Sequence, residues 1–163
     1  MIPAWRLAAL VLAAGAGAPA PARPMAVFEP YVGTWSCLEV YEGAPAHTSV
    51  FRFEFEAQLL RETIFAPKSP AKPDGDVVVA TFAFDARTGR YVEVEMGGDA
   101  HWWASTAAPP TAGAFHWLDA GSSETPSRWE MTLPVDDAFA IVGYARPRDA
   151  TPSYRASCER RQE

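Results

Sequence analysis

Histidine and cysteine are scarce in this chain, with three and two among 163 residues. None of them falls in a metal or redox pattern. There is no H-x-x-x-H, no C-x-x-C and no carboxylate at ligand spacing from His47, His101 or His116, so no metal site is legible. A G-x-S-x-G elbow and a Gly-rich phosphate loop are missing as well, which leaves no nucleophile or phosphate cradle to assign. Positive charge is also short: 14 Lys and Arg stand against 20 Asp and Glu, a net charge of −6. No basic cluster is longer than Arg160-Arg161, so neither nucleic acid nor an anionic membrane surface is an expected partner. The longest apolar run, Leu7 to Gly17, is about eleven residues, against the roughly twenty needed to span a bilayer as a helix. Stable membrane insertion by a helix is therefore not expected.

What is present at the N-terminus is a short stretch with one cation (Met1 to Arg6), that apolar run, and a small, Pro-rich segment, Ala18 to Ala22. This is the layout of a secretory signal peptide, and cleavage after Ala22 fits an A-x-A pattern without leaving proline after the cut. The expected mature domain is residues 23–163, long enough for one core. Export to the periplasm or medium makes a disulfide between Cys37 and Cys158 the expected state. Such a bond requires the first and last strands to be neighbours, as closing a sheet into a barrel does.

The patterning has period two almost throughout. Phe51, Phe53 and Phe55 alternate with Arg52, Glu54 and Glu56, and Trp129, Met131 and Leu133 with Arg128, Glu130 and Thr132. Val92, Val94 and Met96 alternate with Tyr91, Glu93 and Glu95, which reads as a dry valine face and a wet glutamate face. Further strands are expected over 33–42, 59–66, 76–84, 101–106, 114–118, 138–145 and 154–160, with turn chemistry in Gly43-Ala44-Pro45, residues 85–89, Gly97-Gly98-Asp99, Gly121-Ser122-Ser123 and residues 134–137. Only a short helix around Met25 to Tyr31 competes. About ten strands joined by connections too short for crossover helices predict an all-β fold, an up-and-down antiparallel meander closed into a barrel.

Three motifs carry a resemblance to a known family. Val32 to Cys37 (VGTWSC), Phe82 to Tyr91 (FAFDARTGRY) and Ser157-Cys158 together resemble exported bacterial lipocalin-like proteins of unknown function, within the calycin superfamily and distantly similar to nitrobindin-like barrels. The resemblance implies a small-ligand barrel in which Trp35 closes the base beneath a basic residue of the last strand, Arg155 or Arg160. Nitrobindin-like barrels place a haem-ligating histidine near their C-terminus, and this chain has none there.

With no catalytic constellation, the expectation favours a non-enzymatic binder of a small, largely apolar molecule, with no cofactor. The alternatives are haem binding or haem-dependent chemistry through His101 or His116, and a solid envelope scaffold. The candidate lining is Trp35, Phe53, Arg61, Phe82, His101, Trp103, Trp117 and Trp129. In a regular strand His101 and Trp103 share a face, and one of Arg61 and Glu62 must lean inward unless a bulge turns both outward.

Overall fold

The computed structural model describes residues 23–68, 73–98, 101–122 and 127–162. The signal-peptide expectation falls on residues outside these. A 3₁₀ segment, Pro24–Tyr31, is followed by ten strands: β1 (Gly33–Tyr41), β2 (His47–Glu56), β3 (Leu59–Ala66), β4 (Asp76–Asp85), β5 (Arg90–Met96), β6 (Trp102–Ala107), β7 (Ala114–Ser122), β8 (Arg128–Thr132), β9 (Ala138–Tyr144) and β10 (Tyr154–Arg160). Each pairs antiparallel with the next, and β1 pairs with β10, so the sheet is a closed barrel without edges. At the seam Cys37 lies opposite Cys158, and the two form the expected disulfide.

One end of the barrel is packed solid. Pro24 starts the 3₁₀ segment where a missing N–H costs nothing, and the segment turns Phe28 and Tyr31 into the lumen. Phe28 stacks on Phe115 at 4.9 Å and meets Phe82 and Tyr91, while Tyr31 meets Phe53 and Phe139. The rings' polar handles are satisfied: Tyr31 donates to the Thr132 carbonyl and Tyr91 to that of Pro24.

Trp35 is buried in this plug and donates to the Tyr31 carbonyl at 2.6 Å. Of the two basic residues expected above it, Arg160 takes the place. Its guanidinium lies 4.2 Å from the Trp35 ring, donates to the carbonyls of Val32 and Pro30, and pairs with Asp137. The approach also explains Gly33. Its φ is +128°, and a Cβ there would stand 2.7 Å from Arg160 Nη1.

Candidate functional site

Above the plug, the inner face changes character. In β1 the inward parity set by Trp35 and Cys37 continues to Glu39, and in β2 it runs from Phe53 and Phe51 to Ser49 and His47; Glu39 and Ser49 are buried. In β3, Leu60 and Glu62 are the buried pair, so the open question between Arg61 and Glu62 resolves with the carboxylate inside. Arg61 lies on the outer parity, 41% exposed, with Nη1 on Glu56 at 3.1 Å. No bulge is involved.

β5 reverses its expected orientation. Tyr91 and Glu93 are buried, whereas Val94 is 44% and Met96 59% exposed. Register then assembles the cluster. Glu62 sits across from Ala80, which sits across from Glu95; Glu93 sits across from Ser105; Glu95 sits across from Trp103. On β7 a register shift opposite Ala104 and Ser105 places Asp119 across from Ser105, and Asp119 Oδ1 accepts from the Gly121 amide within it. Small side chains recur at this level: Ser49, Ala80, Ser105 and Ala156 are all buried. Ten strands enclose more room than the eight that side chains can just fill.

The aromatic wall of this half is Trp103, Trp117 and Trp129. Trp117 is buried and stacks on Trp129 at 4.9 Å, and Trp129 Nε1 reaches Ser105 Oγ at 3.3 Å. At the rim, Glu39 is fully engaged, with Tyr154 and Tyr41 donating to one oxygen and His47 Nε2 3.3 Å from the other.

The deeper polar groups are not engaged. Glu62 Oε1, both oxygens of Glu93, Ser49 Oγ and Trp117 Nε1 are buried without a hydrogen-bond partner. Burial pushes the Glu93 carboxyl up to about 8; Asp119 adds to the shift, and the neighbouring Glu95 and Ser105 partly offset it without reaching hydrogen-bond geometry. Burial also holds Glu62 and Glu95 well above the ordinary carboxylate range, reinforced for Glu62 by the charges of Glu93 and Glu39, and for Glu95 by those of Glu93, Glu62 and Glu39. Among the described residues no three His, Cys, Asp or Glu side chains are arranged to hold a metal ion.

Of the expected lining, Trp117 and Trp129 stack on one another where the plug gives way to the polar half, Trp117 also touching Phe82 and Phe115, and Trp103 lies beside Glu95 on the inner parity of β6. Trp35, Phe53 and Phe82 belong to the plug, where neighbouring rings occupy their faces. Arg61 faces out. His101 does not share the inner face with Trp103: β6 begins at Trp102, and His101 lies exposed in the β5–β6 connection, its carbonyl accepting from the Gly97 amide. His116 is exposed on the outer face of β7, 3.6 Å from Glu130. The residues not expected are Glu39, Ser49, Glu93, Glu95, Ser105 and Asp119. Their signal was available, since Glu39 continues the Trp35–Cys37 parity and Glu93 that of Tyr91. An external groove of about 350 Å³, bounded by the 3₁₀ segment and the β2–β3 turn through Arg23, Glu29, Phe55 and Gln58, contributes none of the unpartnered atoms.

The fold and site define a closed antiparallel barrel with an aromatic plug below and a carboxylate-lined interior above. No family model matches this chain, and no curated protein matches it.

Proposed function

We propose that this chain is an exported, lipocalin-like calycin barrel that holds a small molecule in the half above the aromatic plug and performs no reaction on it. One observation carries the reading. Five buried polar atoms on four inward-facing residues lack any partner, in a region where Ala80, Ser105 and Ala156 keep the walls low between the tryptophans. A buried polar group left unpaired costs about 1–3 kcal/mol, so a folded barrel that keeps several of them has them matched to something other than its own side chains. The walls supply an apolar body's contacts, and the unpaired groups supply its orientation. Arg160 over Trp35 is the base closure that the lipocalin resemblance implies. A disulfide at the seam suits an oxidising compartment and supports removal of residues 1–22, giving a mature N-terminus at Arg23. No observation favours haem, because the side chains of His101 and His116 both lie at the surface.

Native mass spectrometry of the exported protein tests this directly. The expected result is a mass starting at Arg23 with a retained small molecule, or one regained from an extract of the medium. A barrel of bare polypeptide mass that takes up nothing is the scaffold alternative, and would end the binding proposal.

A further inference from the structure

We propose that the molecule held by this barrel carries a cationic amine head, seated among Glu62, Glu93 and Glu95, on an apolar body packed against Trp103 and Trp129; the assignment rests on the small-molecule reading above. The charge balance of the interior points this way. Among the described residues, the arginines that form ion pairs, Arg160 in the plug apart, lie on the outer face or at the ends, as with Arg52 on Glu54, Arg61 on Glu56 and Arg128 on Glu130. Among the described residues no Lys or Arg forms an ion pair with Glu62, Glu93 or Glu95; the inner face has one group able to become cationic, His47, and Glu39 holds it. Three carboxyls thus lie close to one another with no counter-charge among the described residues, Glu62 and Glu93 are buried, Glu95 is partly so, and both oxygens of Glu93 are unpaired.

The arrangement also selects the kind of cation. No three ligand side chains among the described residues suit a metal ion, which leaves an organic cation as the kind these carboxyls would take. An ammonium group offers them three donors, and its attached carbon chain extends the charge into an apolar wall. The rings are in place for that. Trp103 is the cross-strand neighbour of Glu95, and Ser105, neighbour of Glu93, holds Trp129 in its stack on Trp117. Tryptophan faces beside carboxylates are what an organic cation requires.

Binding is coupled to protons. The titratable and charged groups facing the cluster are Glu39 and Tyr41 from β1, His47 from β2, Glu62 from β3, Glu93 and Glu95 from β5, Asp119 from β7, Tyr154 from β10 and Tyr31 from the 3₁₀ segment. With burial pushing the Glu93 carboxyl up to about 8 and raising Glu62 and Glu95 in the same direction, an incoming ammonium ion displaces a carboxyl proton to the buffer and leaves an ion pair. Its affinity must rise with pH until the carboxyls ionise unaided.

Three probes with one body and different heads separate the alternatives: 2-phenylethylamine, 2-phenylethanol and 3-phenylpropionate, titrated calorimetrically into the exported protein at pH 6 and pH 8. The amine is expected to bind at least about tenfold more tightly than the alcohol at pH 8, a charge-assisted pair against a neutral one. It should tighten between pH 6 and pH 8 and release about one proton, read from two buffers of different ionisation heat. The propionate should show no binding. Glu93→Gln should lower amine affinity about tenfold and leave the alcohol unchanged. If amine and alcohol bind alike, or the propionate is preferred, the cationic head is overturned while the small-molecule reading stands. If no probe binds at millimolar concentration, both fall together. The wild-type comparison decides the matter even if Glu93→Gln does not fold.

Discussion

Glu93 has a stability consequence that does not depend on any ligand. Its carboxyl moves from an ordinary 4.5 to about 8 on folding, mainly because burial disfavours the charge. A raised carboxyl means that between these values the folded state binds more protons than the unfolded one, so stability falls as pH rises. The contribution is intact below about pH 4.5 and is lost as pH passes through about 8. Glu62 and Glu95 shift in the same direction and add to the slope. We therefore expect Tm to drop between pH 5 and pH 8.5, and Glu93→Gln to flatten that dependence and melt higher at the alkaline end. A Tm that climbs across this range would contradict the burial of an uncompensated carboxyl. At this scale the sequence was legible in parity but not in polarity. Alternation says that Tyr91, Glu93 and Glu95 share a face, yet it does not say which face is inside. Assigning glutamates to water fails where the lumen itself is polar. For the same reason Arg61, expected in the lining, lies outside, and its neighbour Glu62 lies within.

Among the elements, the β2–β3 hairpin offers the cleanest test of local strain. Its two-residue connection is Ala57-Gln58, and Ala57 holds φ at +57°, a region where a Cβ costs roughly 1–2 kcal/mol. Ala57→Gly removes that clash but loosens the unfolded chain, for an expected net gain of about 0.5–1 kcal/mol in a denaturant melt. A loss of stability would show that the turn's geometry is set by something other than the backbone. Strand positions were read well where turn chemistry brackets them: β3 and β10 match their expected ranges residue for residue. They were read less well where pairing decides. β6 starts one residue later than expected, which removes His101 from the inner face, and β7 extends to Ser122 through a register shift. Neither is visible in the alternation of a single strand, because both depend on what the neighbouring strand presents. Gly33 is a similar case. Its place in G-T-W is plain in the sequence, but the reason for it is the Arg160 guanidinium arriving from the other end of the chain.

The whole molecule is a cylinder with two different ends. The connections β2–β3, β4–β5, β6–β7 and β8–β9 lie with the 3₁₀ plug, and the β1–β2 and β9–β10 connections lie at the carboxylate end. Closure was legible because the two cysteines sit in the first and last expected strands; that the lumen divides into a packed and a polar half was not, since the division needs the ten-strand register. The Cys37–Cys158 bond spans 121 residues, and reducing it should cost about 2–5 kcal/mol by freeing nearly the full chain in the unfolded state. An unchanged Tm in reductant would mean that strand pairing alone holds the seam. The central claim, that the polar half is a binding site rather than filled core, turns on Trp103, which is only partly buried and faces Glu95 across the strand pair. The direct measurement is a fluorescence titration of an apolar probe into the wild type and Trp103→Ala, with a melt of each protein. A site predicts quenching of tryptophan emission, binding weakened by about 1–3 kcal/mol in the variant, and a nearly unchanged melt. No binding by the wild type, together with a loss of about 3–5 kcal/mol of stability in the variant, would show a packed core and contradict the claim.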